Sequence, residues 1–292
     1  MDFLLLALAV AFISLFNIIY KSYQNKHPEC GTLLFTSFSC FFGCLFFFVS
    51  GGFKFEYDSA ILPYVIAFGI SYGLSTVAAC FSIKTGSLSL TSLITSYSLV
   101  IPTMYGILFL NESVGPVFYI GLALLCVSLL LIGMKSEGDG KKEEKTKISF
   151  IWVVFVSLAF AGNGLCCIFQ TAQQRAFGGK YKSELMVLAL LIVSVSLFIF
   201  SFFIEKGKFK RTAKHCLPYA CLCGIFNGAL NLFVMMLTSA ERLSAAVIFP
   251  SISGGGIVVT ALVAIFLYRE RLSRWQYLSI VLGTVSVVLM NL

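Results

Sequence analysis

Ten apolar stretches of about 20 residues follow one another along this chain, each long enough to cross a hydrocarbon core about 30 Å thick. They cover residues 3 to 20, 30 to 50, 62 to 82, 87 to 110, 114 to 134, 148 to 170, 184 to 204, 216 to 238, 243 to 267 and 275 to 291. Unpaired backbone groups are costly in lipid, and segments this long and uniformly apolar are unlike barrel strands, so each is expected to be a helix. Composition agrees: 59% of residues are hydrophobic and 12% charged, where a soluble domain carries roughly 25% charged. The opening "MDFLLLALAVAFISLF" lacks a basic n-region and an obvious cleavage site, and is read as the first span rather than a signal peptide. The expected fold is an all-α membrane protein with ten transmembrane helices.

The chain also says the same thing twice. "LPYVIAFGISYG" from Leu62 returns as "LPYACLCGIFNG" from Leu217, 155 residues later, and the match continues to Leu88 and Ser89 against Leu243 and Ser244. Upstream, "FNIIYKSYQNK" from Phe16 lines up with "LCCIFQTAQQR" from Leu165, pairing Lys26 with Arg175. Downstream, Glu112, Tyr119 and Ser128 meet Glu270, Tyr277 and Ser286. One five-helix unit is therefore repeated: residues 1–134, a charged linker at 135–147 ("KSEGDGKKEEKTK"), and residues 148–292. An odd number of spans per unit turns the second copy over in the membrane, which gives inverted repeats. Two such repeats can exchange conformations and expose a midplane site to each side in turn, although a purely structural duplication leaves the same trace.

"FLNESVGPVFYIGLALLCVSLLL" from Phe109 and "FLYRERLSRWQYLSIVLGTVSVVL" from Phe266 close the two halves. With the ten spans, they make the chain resemble the EamA repeats of the drug/metabolite transporter superfamily over nearly its whole length. The resemblance implies a central cavity lined by the first, third and fourth helices of each half, with the fifth helices peripheral. It implies transport of small molecules without specifying which: amino acids, other metabolites, drugs or nucleotide sugars. The sequence departs from the pattern where Leu110-Asn111 and Tyr268-Arg269 precede the two glutamates, positions at which such repeats often carry glycine.

Candidate substrate-binding residues are polar side chains at helical spacing. Tyr72 and Thr76 lie four apart and share a helix face, and the repeat converts them into Asn227 and Asn231. Ser14 and Asn17 belong to the first span, and Asn163 to its mate. Tyr97, Tyr105 and Ser253 complete the set. The same residue types also serve as hydrogen bonds between membrane helices. Pro102, Pro250 and the run Gly254, Gly255, Gly256 are expected to interrupt the fourth span and its mate, a pattern that marks binding sites in transporters; close packing at glycine is the other reading.

No acidic or basic residue falls at the centre of a span. Glu112 and Glu270 are expected to cap helix N-termini. The two histidines, His27 and His215, fall in loops. The ten cysteines lie almost wholly within spans, as small packing residues; Cys221-x-Cys223 lacks a partner pair, so no metal site is expected, and nothing calls for a cofactor. No P-loop, nucleophile-base arrangement or paired carboxylates appear, so an enzyme or an ATP-driven pump is not expected, and a passive channel is a weaker alternative. The reading is a secondary transporter of a small neutral or zwitterionic, amino-acid-like metabolite working by alternating access. The alternative is a carrier of quaternary amines or aromatic drugs, held on tyrosine faces. Its expected partners are that small molecule and the lipid bilayer. The net charge of +8 is assigned to membrane orientation rather than to nucleic acid. Lys and Arg number 16 in loops following odd-numbered spans and 5 in the others, which places the former in the cytoplasm and both termini outside, whereas many members of the resembled family have cytoplasmic termini. The expected setting is a multi-pass position in a bacterial plasma membrane, and a homodimer would form through the fifth and tenth helices.

Overall fold

A computed structural model describes residues 2–56, 58–85, 91, 94–95, 97–133, 150–268 and 274–291. The linker at 135–147 and Glu270 lie outside the described residues. Ten α-helices are defined among them: α1 (Asp2–Lys26), α2 (Thr32–Ser50), α3 (Leu62–Thr85), α4 (Val100–Phe109), α5 (Pro116–Gly133), α6 (Phe150–Ala176), α7 (Lys182–Ile204), α8 (Phe209–Ala240), α9 (Ala245–Tyr268) and α10 (Arg274–Met290). No strand occurs among the described residues. Six helices, α1, α2, α3, α6, α7 and α8, are individually long and apolar enough to span a bilayer, and shorter apolar segments occupy the other four.

Local sequence explains where several of these helices begin. Asp58 accepts a hydrogen bond from the Ala60 amide and sets a short 3-10 turn, Ser59–Ile61, before α3. Pro63 and Pro116 lie in first turns, where an amide hydrogen has no partner to lose. α8 starts at Phe209, earlier than the apolar run at 216, because Lys210, Arg211 and Lys214 form a charged first stretch that hydropathy alone cannot include.

The helices alternate in direction, so turns collect at two ends of the bundle. The terminal end holds the chain termini and the α2–α3, α4–α5, α6–α7 and α8–α9 turns; Arg242 reaches Asp2 there at 3.8 Å. At the distal end Arg211 pairs with Glu29 at 3.1 Å, and the Gly31 amide donates to Thr212 at 2.8 Å.

Helix contacts recur between the two halves of the chain. α1 packs on α8 as α6 does on α3, α2 on α8 as α7 does on α3, and α1 on α9 as α6 does on α4; α2 meets α7, and α5 meets α10, mate against mate. Between α2 and α7, Ser37 donates to the Ser194 carbonyl and Ser194 donates to the Ser37 carbonyl, at 2.8 and 2.9 Å. Close approach needs glycine at two crossings, α6 on α3 and α8 on α2: a Cβ at Gly162 would lie 2.7 Å from the Ser71 carbonyl, and one at Gly224 would lie 2.5 Å from that of Ser39. The outer surface carries exposed Ile192, Ile199, Phe202 and Phe203 on α7, with Val281 and Val288 on α10. So much exposed large apolar surface suits lipid rather than water. The chain is an integral membrane protein.

Candidate binding cavity

A cavity of about 510 Å³ lies between the helices and opens toward the distal end, within the size range of small-molecule sites. Tyr20, Thr32 and Ile83 line it toward the distal end; Tyr72, Asn163, Asn227 and Ser253 line it further inside. α1, α3, α6, α8, α9 and the stretch entering α4 all contribute, while α5 and α10 do not. α2 contributes as well, through Thr32, Phe35, Thr36 and Ser39, which the helix set expected from the resemblance leaves out. No Asp, Glu, Lys, Arg or His lines it among the described residues.

Six of the ten expected binding residues meet here: Asn17, Tyr72, Thr76, Asn163, Asn227 and Ser253. The other four do not line the cavity. Ser14 is buried and donates to the Val10 carbonyl at 2.7 Å, against Gly256. Tyr97 turns toward α5 and donates to the Cys126 carbonyl at 2.6 Å. Tyr105 stacks on Phe109 near the terminal end. Asn231 lies behind Asn227, one turn further along α8.

That position gives Asn231 a directing role. Its Nδ2 donates to the backbone carbonyl of Asn227 at 2.8 Å, and a carbonyl can only accept, so the amide orientation is fixed. The same Nδ2 then meets Asn227 Oδ1 at 3.2 Å, and its Oδ1 receives Gln170 Nε2 at 3.2 Å. Asn227 is thereby left with its NH₂ as the end free to donate into the cavity. Across the cavity Asn163 donates through Nδ2 to Ser98 Oγ at 2.5 Å, which leaves its carbonyl oxygen as an acceptor. The wall thus offers a donor and an acceptor, with the Tyr72 ring beside them.

The expected interruption of the ninth helix does not occur. α9 runs unbroken through Pro250 and Gly254–Gly256. Its glycines admit neighbours instead: a Cβ at Gly255 would lie 2.9 Å from Val10, and one at Gly256 would lie 2.7 Å from Ile13. In the fourth segment, a 3-10 turn at Tyr97–Leu99 precedes α4, and Pro102 falls in the first turn of α4.

Two carboxylates do more than the sequence suggests. Glu112 accepts from the Ala245 and Ala246 amides at 2.9 and 3.0 Å and pairs with Arg175. It therefore caps α9, a helix more than 100 residues further along the chain, rather than its own turn. Asn111, at φ 51, makes the left-handed bend that aims Glu112 there, which accounts for an asparagine where glycine is common. Glu205, absent from the expectations, is buried and accepts from the Leu33 and Leu34 amides at 3.0 and 3.2 Å, capping α2. Gln170, also missed, is 2% exposed; only its place beside Asn231 reveals its importance. At the distal turn the ligand atoms of His27, Glu29 and Cys30 lie within 4.8 Å of one another, but Glu29 is held by Arg211, and His27 stacks face to face on His215 rather than converging with it on a point.

A family model described as "Sugar transport protein" matches residues 5–292, and the chain belongs to that family of membrane transporters. No curated protein matches it. Among solved structures, one described only as "Crystal structure of protein" superposes with a TM-score of 0.75 at 10% identity, covering 99% of this chain and 98% of the other; that likeness shows the fold alone.

Proposed function

We propose that this protein is a secondary transporter that moves a small, neutral, polyhydroxylated solute of the sugar type by alternating access. The observation that carries the reading is the cavity wall itself: oriented amide groups on Asn163 and Asn227, hydroxyl groups around them, aromatic faces, and no ionised side chain among the described residues. A neutral solute with many hydroxyl groups loses its hydration on entry and needs both donors and acceptors, each net hydrogen bond contributing about 1 kcal/mol. An amino acid would bring two full charges to a wall that offers no ionised counter-charge among the described residues. The family's description supports the same class.

Alternating access rests on the duplicated sequence and on the reciprocal packing of mates, which suit two five-helix repeats of opposite orientation. The same features support kinship with EamA-type transporters, and the expected location is a bacterial plasma membrane. The purified protein, reconstituted in liposomes, should take up radiolabelled hexoses or pentoses in preference to amino acids and tetraalkylammonium ions. Uptake confined to amino acids would overturn the sugar reading. Uptake confined to the cations would turn attention to Phe16, Tyr20 and Tyr72, the rings that could hold them.

A further inference from the structure

We infer that a buried polar stripe on α6, latched by Glu112 and Arg175, is the closed half of the solute pathway. The inference rests on the transport reading above and extends it to the side that the cavity does not reach. Asn163 and Cys167 line the cavity, and the same face of α6 continues at helical spacing through Gln170, Thr171, Gln174 and Arg175 to the terminal end. Gln170 is 2% exposed, and Thr171 and Gln174 are 0% exposed. Three atoms along this turn, Thr171 Oγ1, Gln174 Oε1 and Arg175 Nε, are buried without a hydrogen-bond partner. Buried polar groups are ordinarily paired, and leaving them unpaired is costly. Their concentration directly beyond a solute cavity points to surface that is hydrated in a second conformation.

The repeat shows what that second conformation looks like. In the sequence alignment Gln170, Thr171, Gln173, Gln174 and Arg175 correspond to Lys21, Ser22, Gln24, Asn25 and Lys26 on α1. At the open distal end Gln24, Asn25 and Lys26 are exposed, whereas Gln173 and Gln174 at the closed end are fully buried. Corresponding positions are wet at one end and sealed at the other. The seal is compact: Glu112 ties the end of α6, through Arg175, to the first amides of α9, and its side chain is 8% exposed. Separating α6 from α9 breaks these bonds and opens the stripe to the terminal side.

The test is thiol accessibility in a background with the ten native cysteines replaced, in sealed vesicles of both orientations. Gln174→Cys and Thr171→Cys should react slowly with a charged methanethiosulfonate, whereas Asn25→Cys on α1 should react rapidly from the distal side. Adding Glu112→Gln should speed the α6 positions by about tenfold, equivalent to about 1.4 kcal/mol, from the terminal side only. Arg175→Gln, which leaves Glu112 capping α9, should do the same should the first variant fold poorly. Unchanged rates in both latch variants, or labelling of the stripe from the distal side, would overturn the inference. Failure to transport any sugar would sink the transport reading alone, because the labelling asymmetry is measured without a solute.

Discussion

Asn227 presents a donor to the cavity because of the side chains behind it, and this can be tested by exchanging single atoms. In Asn227→Asp the carboxylate still accepts from Asn231 Nδ2, but the group facing the cavity changes from donor to acceptor. Solute affinity should fall by about tenfold or more, corresponding to one lost hydrogen bond of about 1.4 kcal/mol, with thermal stability close to that of the parent. Asn231→Asp behaves oppositely: its oxygens would face the Asn227 carbonyl at 2.8 Å, so unfolding should be easier by about 1–3 kcal/mol. Equal stability of the two variants in a thermal-unfolding series would refute the assigned amide orientation. Asn227 was legible in the sequence because polar residues four apart on an apolar helix stand out. Gln170 was not, because it sits near the predicted end of a span, among the polar residues of "QTAQQR", where a polar side chain is unremarkable.

Helix ends were the least legible elements, for a related reason. Hydropathy locates the apolar middle of a helix, but where it ends depends on which group satisfies the first amides, and here those groups come from distant sequence. Glu112 caps α9 and Glu205 caps α2, each across more than 100 positions of chain. Glu205→Gln retains one acceptor but loses the charge that favours a helix N-terminus; it should cost about 1 kcal/mol, and Glu205→Ala should cost more. Gly31→Ala tests the same cap from the other side, since a Cβ there would lie 2.1 Å from Glu205 Oε2. All three variants should lower the melting temperature of detergent-solubilised protein, and Gly31→Ala combined with Glu205→Ala should lose less than the sum, because the two share one cap. Strict additivity would show that Glu205 does not act through α2. In α9 the difference lies in the middle of the helix rather than at its end. Three successive glycines suggested a break, yet their backbone stays helical because Val10 and Ile13 of α1 and Val287 of α10 fill the space their missing side chains leave.

At the scale of the whole molecule, the ten helices are legible in the sequence, since a bilayer imposes length and apolarity on every crossing. Which end faces the cytoplasm depends on charges outside those crossings. By the sequence spans, Lys and Arg number 16 in the connections that follow odd-numbered spans and 5 in the others, and the cavity opens toward the distal end, where α1, α3 and α7 finish. If positive charge is retained on the cytoplasmic side, the structure is the inward-open form, with the Glu112–Arg175 latch closed toward the exterior. Lys206, exposed in the α7–α8 turn, and Lys54, exposed in the α2–α3 turn, mark the two ends. In a cysteine-depleted background, Lys206→Cys should react with an impermeant maleimide only in inside-out vesicles, and Lys54→Cys only in right-side-out vesicles. Thr36→Cys, on the cavity wall, should follow Lys206→Cys and be slowed by a saturating transported sugar, because bound solute covers that wall. The reverse pattern at both lysine positions would place the termini in the cytoplasm and make the same cavity outward-open, with Glu112 and Arg175 sealing its inner side.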